Sequence, residues 1–221
     1  MRLYAVADIH GRPERMAAIK RNVQKYRPDV LVAAGDIAAF GKAPFVSELG
    51  DLLVPVLAIR GNTDPKQVES RFALHENIIF LNNRDVMLAG AHFAGASGTI
   101  PVPFRSRIAF RETAIWNRLI PWITPQTVLI AHPPPWGCLD RVMGKYHAGC
   151  KSLEKVIRRY PPALLICGHV HEDAGIDHLG KTLIVNCAMG SATEGAVIDI
   201  QNGRIFAEIL KIQRPGQIRS C

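Results

Sequence analysis

The sequence predicts an α/β fold of two mixed β-sheets with helices packed outside them. Three observations carry that expectation. Short apolar runs alternate with amphipathic stretches through the first half of the chain, the pattern of strand–helix–strand units. From residue 182 onward β-rich segments follow one another with only tight turns between them. Five of the apolar runs stop at a side chain able to bind a metal, and in an open α/β sheet ligands bind at the carboxyl ends of the strands.

Residues 3–7 form the first buried run, which ends at Asp8-Ile9-His10. Gly11 and Pro13 then turn the chain into a helix over 13–26. Pro13 sits in the first turn, where its missing N–H costs nothing, and Met16, Ile19, Val23 and Tyr26 share one face. Pro28-Asp29 restarts the chain into residues 30–34, which run into Gly35-Asp36. A short helix is expected over 43–53. Residues 54–59 run into Arg60-Gly61-Asn62-Thr63-Asp64, and Pro65 opens a helix over 65–73.

Residues 78–81 and 86–89 flank Asn82-Asn83-Arg84-Asp85 and read as a hairpin. Gly95-Ala96-Ser97-Gly98-Thr99, with Pro101 and Pro103, reads as a loop. The stretch 105–118 holds Arg105, Arg107, Arg111 and Arg118 against one acid, Glu112; an arginine-rich helix surface is the commoner meaning, an anion-facing one the sharper. Residues 128–131 run into His132 and the stiff loop Pro133-Pro134-Pro135-Trp136-Gly137. A helix over 149–160 carries Leu153, Val156, Ile157 and Tyr160 on one face. Residues 163–167 run into Gly168-His169-Val170-His171. Three strands follow, over 182–186, 195–200 and 204–210, with Asn202-Gly203 a strong hairpin turn between the last two. One domain over 1–221 is expected, with 211–221 a frayed basic tail.

Composition narrows the class. With 48% hydrophobic and 21% charged residues the chain is globular rather than disordered. No apolar run approaches the roughly 18 residues of a membrane span, and Arg2 leads straight into a strand, so neither a membrane partner nor a signal peptide is expected and the cytoplasm is the default location. The five cysteines are odd in number and never spaced C-x-x-C, so no disulfide framework or zinc ribbon is indicated; Cys167 and Cys187 sit in apolar runs as small core residues. The formal net charge of +8 suits an anionic substrate or a nucleic acid, but equally a solvated basic surface.

The candidate ligands are Asp8, His10, Asp36, Asn62, His132, His169 and His171. Oxygen and imidazole donors without thiolate favour Mn, Fe or Zn over a structural cysteine site. Seven donors exceed one tetrahedral ion and suit two, with a carboxylate bridging. Such a pair generates hydroxide at neutral pH and clamps a phosphoryl oxygen. Taken singly, Asp8 and Asp36 read as helix caps, Asn62 as a turn residue and each histidine as a loop residue. Seven such placements together point to metal.

These residues also carry a resemblance. Asp8-x-His10, Gly35-Asp36, Gly61-Asn62, His132 and Gly168-His169-Val170-His171 resemble, in order, the five motifs of the calcineurin-like metallophosphoesterase superfamily. The resemblance implies a four-layer αββα sandwich and a dinuclear centre. Asp8, His10, Asp36 and His171 would hold the first ion, Asp36 would bridge, and Asn62, His132 and His169 would complete the second. Many members carry a histidine directly after the motif-three asparagine, which contacts the phosphate and protonates the leaving group. Here that position is Thr63, with Asp64 following. Phosphodiesterase activity has been associated with members that have another residue there. The implied activity is therefore hydrolysis of a small phosphoester, a diester before a monoester, with His147 in the loop after His132 as a candidate catalytic histidine beside Asn62. A surface or structural role for His147 is the commoner alternative. His75, His92 and His178 have no motif context. A nuclease of the same superfamily is less favoured, because no basic stripe with interleaved aromatics is present. A non-catalytic scaffold should have lost ligands, and all seven are here.

Overall fold

The computed structural model describes residues 1–38, 44–97 and 108–212. Two six-stranded mixed sheets face each other. The first contains β1 (Arg2–Val6), β2 (Val30–Ala34), β3 (Val56–Ile59) and β4 (Ile78–Phe80) in one parallel block. It is extended beside β1 by antiparallel β13 (Thr193–Gln201) and β14 (Arg204–Lys211). The second has β12 (Thr182–Asn186), β10 (Leu164–Cys167), β7 (Val128–Ile130) and β6 (Ala91–Gly95) parallel. Antiparallel β11 (Gly175–Leu179) and β5 (Arg84–Leu88) form its two edges. A small third ribbon pairs β8 (Arg141–Val142) with β9 (Tyr146–His147).

Strand periodicity explains the layering. Alternate residues of β1 and β2, Leu3, Ala5, Val30 and Val32, point into the space between the sheets, where they meet Val128, Ile130, Leu164 and Ile166. The other residues of the same strands, Tyr4, Val6, Leu31 and Ala33, face the opposite way. They pack on α1 (Pro13–Tyr26), α2 (Pro44–Gly50) and α3 (Val68–Phe72). Outside the second sheet lie α4 (Ile108–Leu119) and α5 (Lys151–Arg159), burying Trp116, Leu119, Leu153 and Ile157. The result is the four-layer αββα sandwich. Strands buried on both faces read as continuous apolar runs, which is why β1, β2, β3, β7 and β10 stand out in the sequence.

Several elements depart from expectation. Residues 78–89 are not a hairpin: β4 pairs parallel with β3 in one sheet, while β5 pairs antiparallel with β6 in the other. Leu81 makes the crossing, its N–H bonded to Ala58 O and its carbonyl to Ser97 Oγ. The true hairpin turn is Ala89-Gly90, both with positive φ, and Gly95, expected to start a loop, instead ends β6. Pro65 opens a turn rather than a helix, and α3 begins at Val68, whose N–H bonds Pro65 O. The tail does not begin at 211, because Lys211 pairs with Thr193 and Ile212 N donates to Ala192 O. Arg105, Arg107 and residues 213–221 lie outside the described residues, as do the side chains of Arg111 and Glu112. No helix among the described residues is long and apolar enough to cross a membrane.

Candidate metal centre

All five strand ends singled out in the sequence lie in the two parallel blocks, and their following loops meet at one edge of the sandwich. The loops are laced by main-chain bonds that continue the sheet beyond its strands. Asp8 N donates to Gly35 O, His10 N to Asp36 O and Gly11 N to Ile37 O. Within the second sheet Gly168 N donates to His132 O, and across the sandwich His169 N donates to Asp8 Oδ2 at 2.8 Å. This lacing holds a strained backbone. Asp8, His10, Asp36 and His169 all have positive φ, a conformation that costs roughly 1 kcal/mol or more for a residue other than glycine. Four of the seven predicted ligands therefore share a backbone state that only the surrounding structure can enforce.

The glycines before them are needed for close approach. A Cβ on Gly61 would fall 2.1 Å from Asp36 Oδ1, and one on Gly168 would fall 2.2 Å from Ala7 Cβ and 2.6 Å from Asp8 Oδ2. Gly35, at φ +93°, has His132 Nδ1 where its Cβ would stand, 2.7 Å away.

The side chains converge in two adjoining groups, Asp8 with His10 and His171, and Asp8 with Asp36 and His132, the ligand atoms in each lying within 4.8 Å of one another. Asp8 is fully buried, and among the described residues none makes a well-formed hydrogen bond to its Oδ1, although His10 Nε2 and His171 Nε2 stand 3.8 and 3.1 Å away. Asp36 Oδ1 accepts from Thr63 N at 2.8 Å, while Oδ2 faces His132 Nε2 at 3.4 Å and His10 Nε2 at 3.8 Å. His132 is fully buried; its Nδ1 donates to Ala34 O at 2.9 Å, which leaves Nε2 aimed inward at Asn62 Oδ1, 3.0 Å away. His169 presents its ring edge-on to His132 with centroids 5.1 Å apart. All seven predicted ligands are thus brought together.

An orphaned buried carboxylate oxygen, facing imidazole nitrogens and a second carboxylate, fits a metal cation. The metal-free electrostatics agree. Burial works to raise the Asp36 carboxyl, but its contact with His132, the Thr63 N–H and His10 hold it well below the usual carboxylate range. Asp8 is likewise held low against its burial by His171 and His132. Burial works to lower His132, yet Asp36 and Asp8 push it up to about 9. Burial and the neighbouring His132 push His169 down to about 4, so it is neutral and ready to ligate at physiological pH.

Of the residues around the ligands, the sequence singles out Thr63, Asp64 and His147 but not Arg15. Arg15, on α1, donates to the carbonyl of Asp8. Asp64, which lacks the imidazole partner expected in the family, spends both oxygens on main-chain donors, Ala38 N at 2.7 Å and Gly61 N at 2.9 Å. Thr63 Oγ1 lies 3.5 Å from His10 Nδ1. His147 sits on β9 with Nδ1 2.7 Å from Asp140 Oδ1. His92, on β6, is tied to Asp85 of the edge strand β5 and to Thr127 just before β7.

Paired sheets with a buried Asp/His cluster at their strand ends define a metal-binding protein of the phosphoesterase type. A family profile for calcineurin-like phosphoesterases matches residues 1–173, and the chain belongs to that family, whose members are metal-dependent hydrolases of phosphoester bonds. Among curated relatives, protein MJ1162 of Methanocaldococcus jannaschii is 29% identical over 197 residues, covering 84% of this chain and 87% of its own. Solved structures share the fold. TT1561 of Thermus thermophilus superposes with a TM-score of 0.67 at 16% identity, over 94% of this chain and 98% of its own. A dimetal phosphatase from Danio rerio superposes with a TM-score of 0.67 at 11% identity, over 96% and 98%.

Proposed function

We propose that this chain hydrolyses phosphodiesters at a dinuclear metal centre. The observation that carries the reading is the sharing of Asp8 between two adjoining donor groups, with Asp36 Oδ2 turned toward histidines of both. Asp8, His10, Asp36 and His171 would hold one ion and Asn62, His132 and His169 the other, with Asp36 between them. When bound, the ions supply a nucleophile at neutral pH and neutralise charge on the transferring phosphoryl group. The residues of the chain set the geometry. Ala34 O fixes the His132 tautomer, Thr63 N fixes one Asp36 oxygen, and the laced loops keep all donors in place before substrate arrives.

Thr63 supports the preference for diesters. A threonine hydroxyl is too weak an acid to protonate a leaving group at neutral pH, so the adjacent position contributes no proton donor. The smaller side chain also leaves room beside the phosphate for a second ester substituent. His147 is the residue we assign to supply the leaving-group proton.

The test is a panel of aryl and alkyl diesters, monoesters and nucleic acids, assayed with chelator and with Mn, Fe or Zn added back. Diester hydrolysis should be fastest, vanish on chelation and return with metal. A preference for alkyl monoesters would overturn the diester assignment, efficient nucleic-acid cleavage would favour the nuclease, and no hydrolysis by metal-loaded protein would favour a scaffold.

A further inference from the structure

Residues 133–150 connect His132, two residues beyond β7, to α5, and one buried carboxylate organises them. Asp140 is 1% exposed. Its Oδ2 accepts from Gly137 N and Gly149 N, each at 3.0 Å, and its Oδ1 faces His147 Nδ1 at 2.7 Å. A Cβ on Gly149 would stand 2.7 Å from Asp140 Oδ2, so the carboxylate fits only against bare backbone there.

A carboxylate can only accept, so His147 Nδ1 is the donor and the ring tautomer is set. Trp136 covers the ring with centroids 5.1 Å apart. Among the described residues none bonds Nε2, and the side chain is 35% exposed. One nitrogen held by a buried carboxylate and the other open to solvent is the arrangement of a proton-transfer group.

The same segment is fastened to the turn that carries His171. Arg141 N donates to Asp173 Oδ2 at 2.8 Å, and Met143 N to the Glu172 carboxylate. The Asn186 amide nitrogen lies 3.2 Å from Leu139 O, 2.9 Å from Val170 O and 3.2 Å from Asp173 O. The ribbon bearing His147 and the turn bearing His171 are therefore one packed unit beside the metal centre.

We propose that Asp140 is a positioning residue that keeps a proton on His147 Nδ1, so that the doubly protonated ring presents its Nε2–H to the leaving oxygen of the ester. The inference rests on the reading above, in which His147 supplies that proton. As an oxygen from water bonds to phosphorus and the P–O bond to the leaving group breaks, the electron pair of that bond goes to the leaving oxygen, which takes the Nε2 proton of the imidazolium. His147 is left neutral, still donating from Nδ1 to Asp140, and regains a proton from solvent.

Asp140→Asn tests this. The amide oxygen can still accept from Gly137 and Gly149, so the amide nitrogen faces His147 and, being a donor, favours the opposite tautomer. Ring ¹⁵N shifts of His147, recorded at a pH where the ring is neutral, should report Nδ1–H in the parent and Nε2–H in the variant. At unchanged metal content, the ratio of alkyl-ester to aryl-ester rate should fall about 100-fold, within the 10²–10⁴ range of general-acid catalysis. An equal loss on both esters, or an Nε2–H tautomer in the parent, overturns the proposal; the parent measurement stands even if the variant fails to fold. His147→Ala separates the two readings. If it lowers the ratio while Asp140→Asn does not, the role of Asp140 is wrong and that of His147 survives. If it leaves the ratio unchanged, His147 is not the proton donor and the inference falls with that reading.

Discussion

His10 and His171 meet nitrogen to nitrogen, their Nε2 atoms 3.4 Å apart. Both nitrogens also face Asp8 Oδ1, a buried oxygen to which none of the described residues makes a well-formed hydrogen bond. Three electron-pair donors turned toward one small space are poorly satisfied by each other and well satisfied by a cation. His171→Ala should therefore weaken metal binding by about 10-fold or more, since losing even an outer-shell partner typically costs 10–100-fold. Competition titration with a chromophoric chelator measures it, and parent-like affinity would remove His171 from the ligand set.

The pair His132–Asp36 predicts how metal uptake depends on pH. In the metal-free chain His132 titrates near 9, so at pH 7 it carries a proton that an ion at Nε2 must displace. Calorimetry in two buffers of different protonation enthalpy should show release of about one proton per chain from this ring, fading above pH 9. The linkage has a matching sign. A folded-state value raised above the ordinary 6.5 stabilises the metal-free protein fully below pH 6.5 and is lost as pH rises through about 9. The metal-free Tm should carry this loss between pH 7 and 9, and the metal-saturated Tm should not. Metal uptake without proton release at pH 7 would contradict the assignment of His132.

Gly61→Ala should damage both fold and site. The added methyl would stand 2.1 Å from Asp36 Oδ1 and 2.5 Å from Asp36 N, and the main-chain atom cannot rotate away. Overpacking of this kind typically costs about 1–3 kcal/mol. Thermal unfolding should show a lower Tm, and elemental analysis a lower metal content; a parent-like result in both would mean that the loop yields freely.

The ligands were legible in the sequence because each ends or closely follows an apolar run, and a strand buried on both faces announces its own end. The partner of a strand is less visible. Residues 78–80 and 84–88 are close enough to form a hairpin, but β4 finds its register on β3 some twenty residues earlier, and local patterning is the same for either outcome. The positive φ of Asp8, His10, Asp36 and His169 was hidden because it falls on residues other than glycine and is imposed by bonds from distant loops. Asp140 and Asn186 were invisible for a similar reason. Their roles lie in main-chain groups of the loops they tie together.

Thr63→His should shift substrate preference. Thr63 N stays bonded to Asp36 and its side chain lies beside His10, so an imidazole there would stand at the edge of the proposed centre. It should raise the alkyl-monoester rate relative to the aryl-diester rate. Parallel kinetics on the two esters decide the matter; a parent that already prefers alkyl monoesters, with no change in the variant, would rule out the diester assignment.

The most direct measurement is elemental analysis of the purified chain after reconstitution, made side by side with diester hydrolysis in the parent and in Asp36→Asn. Asp36 Oδ2 stands 3.4 Å from His132 Nε2 and 3.8 Å from His10 Nε2, and a neutral amide there bridges two cations poorly. The predicted result is two ions per chain in the parent, loss of both in the variant, and hydrolysis that falls with them. A parent that holds a single ion at full activity, or an Asp36→Asn variant that keeps both ions, would contradict the dinuclear account.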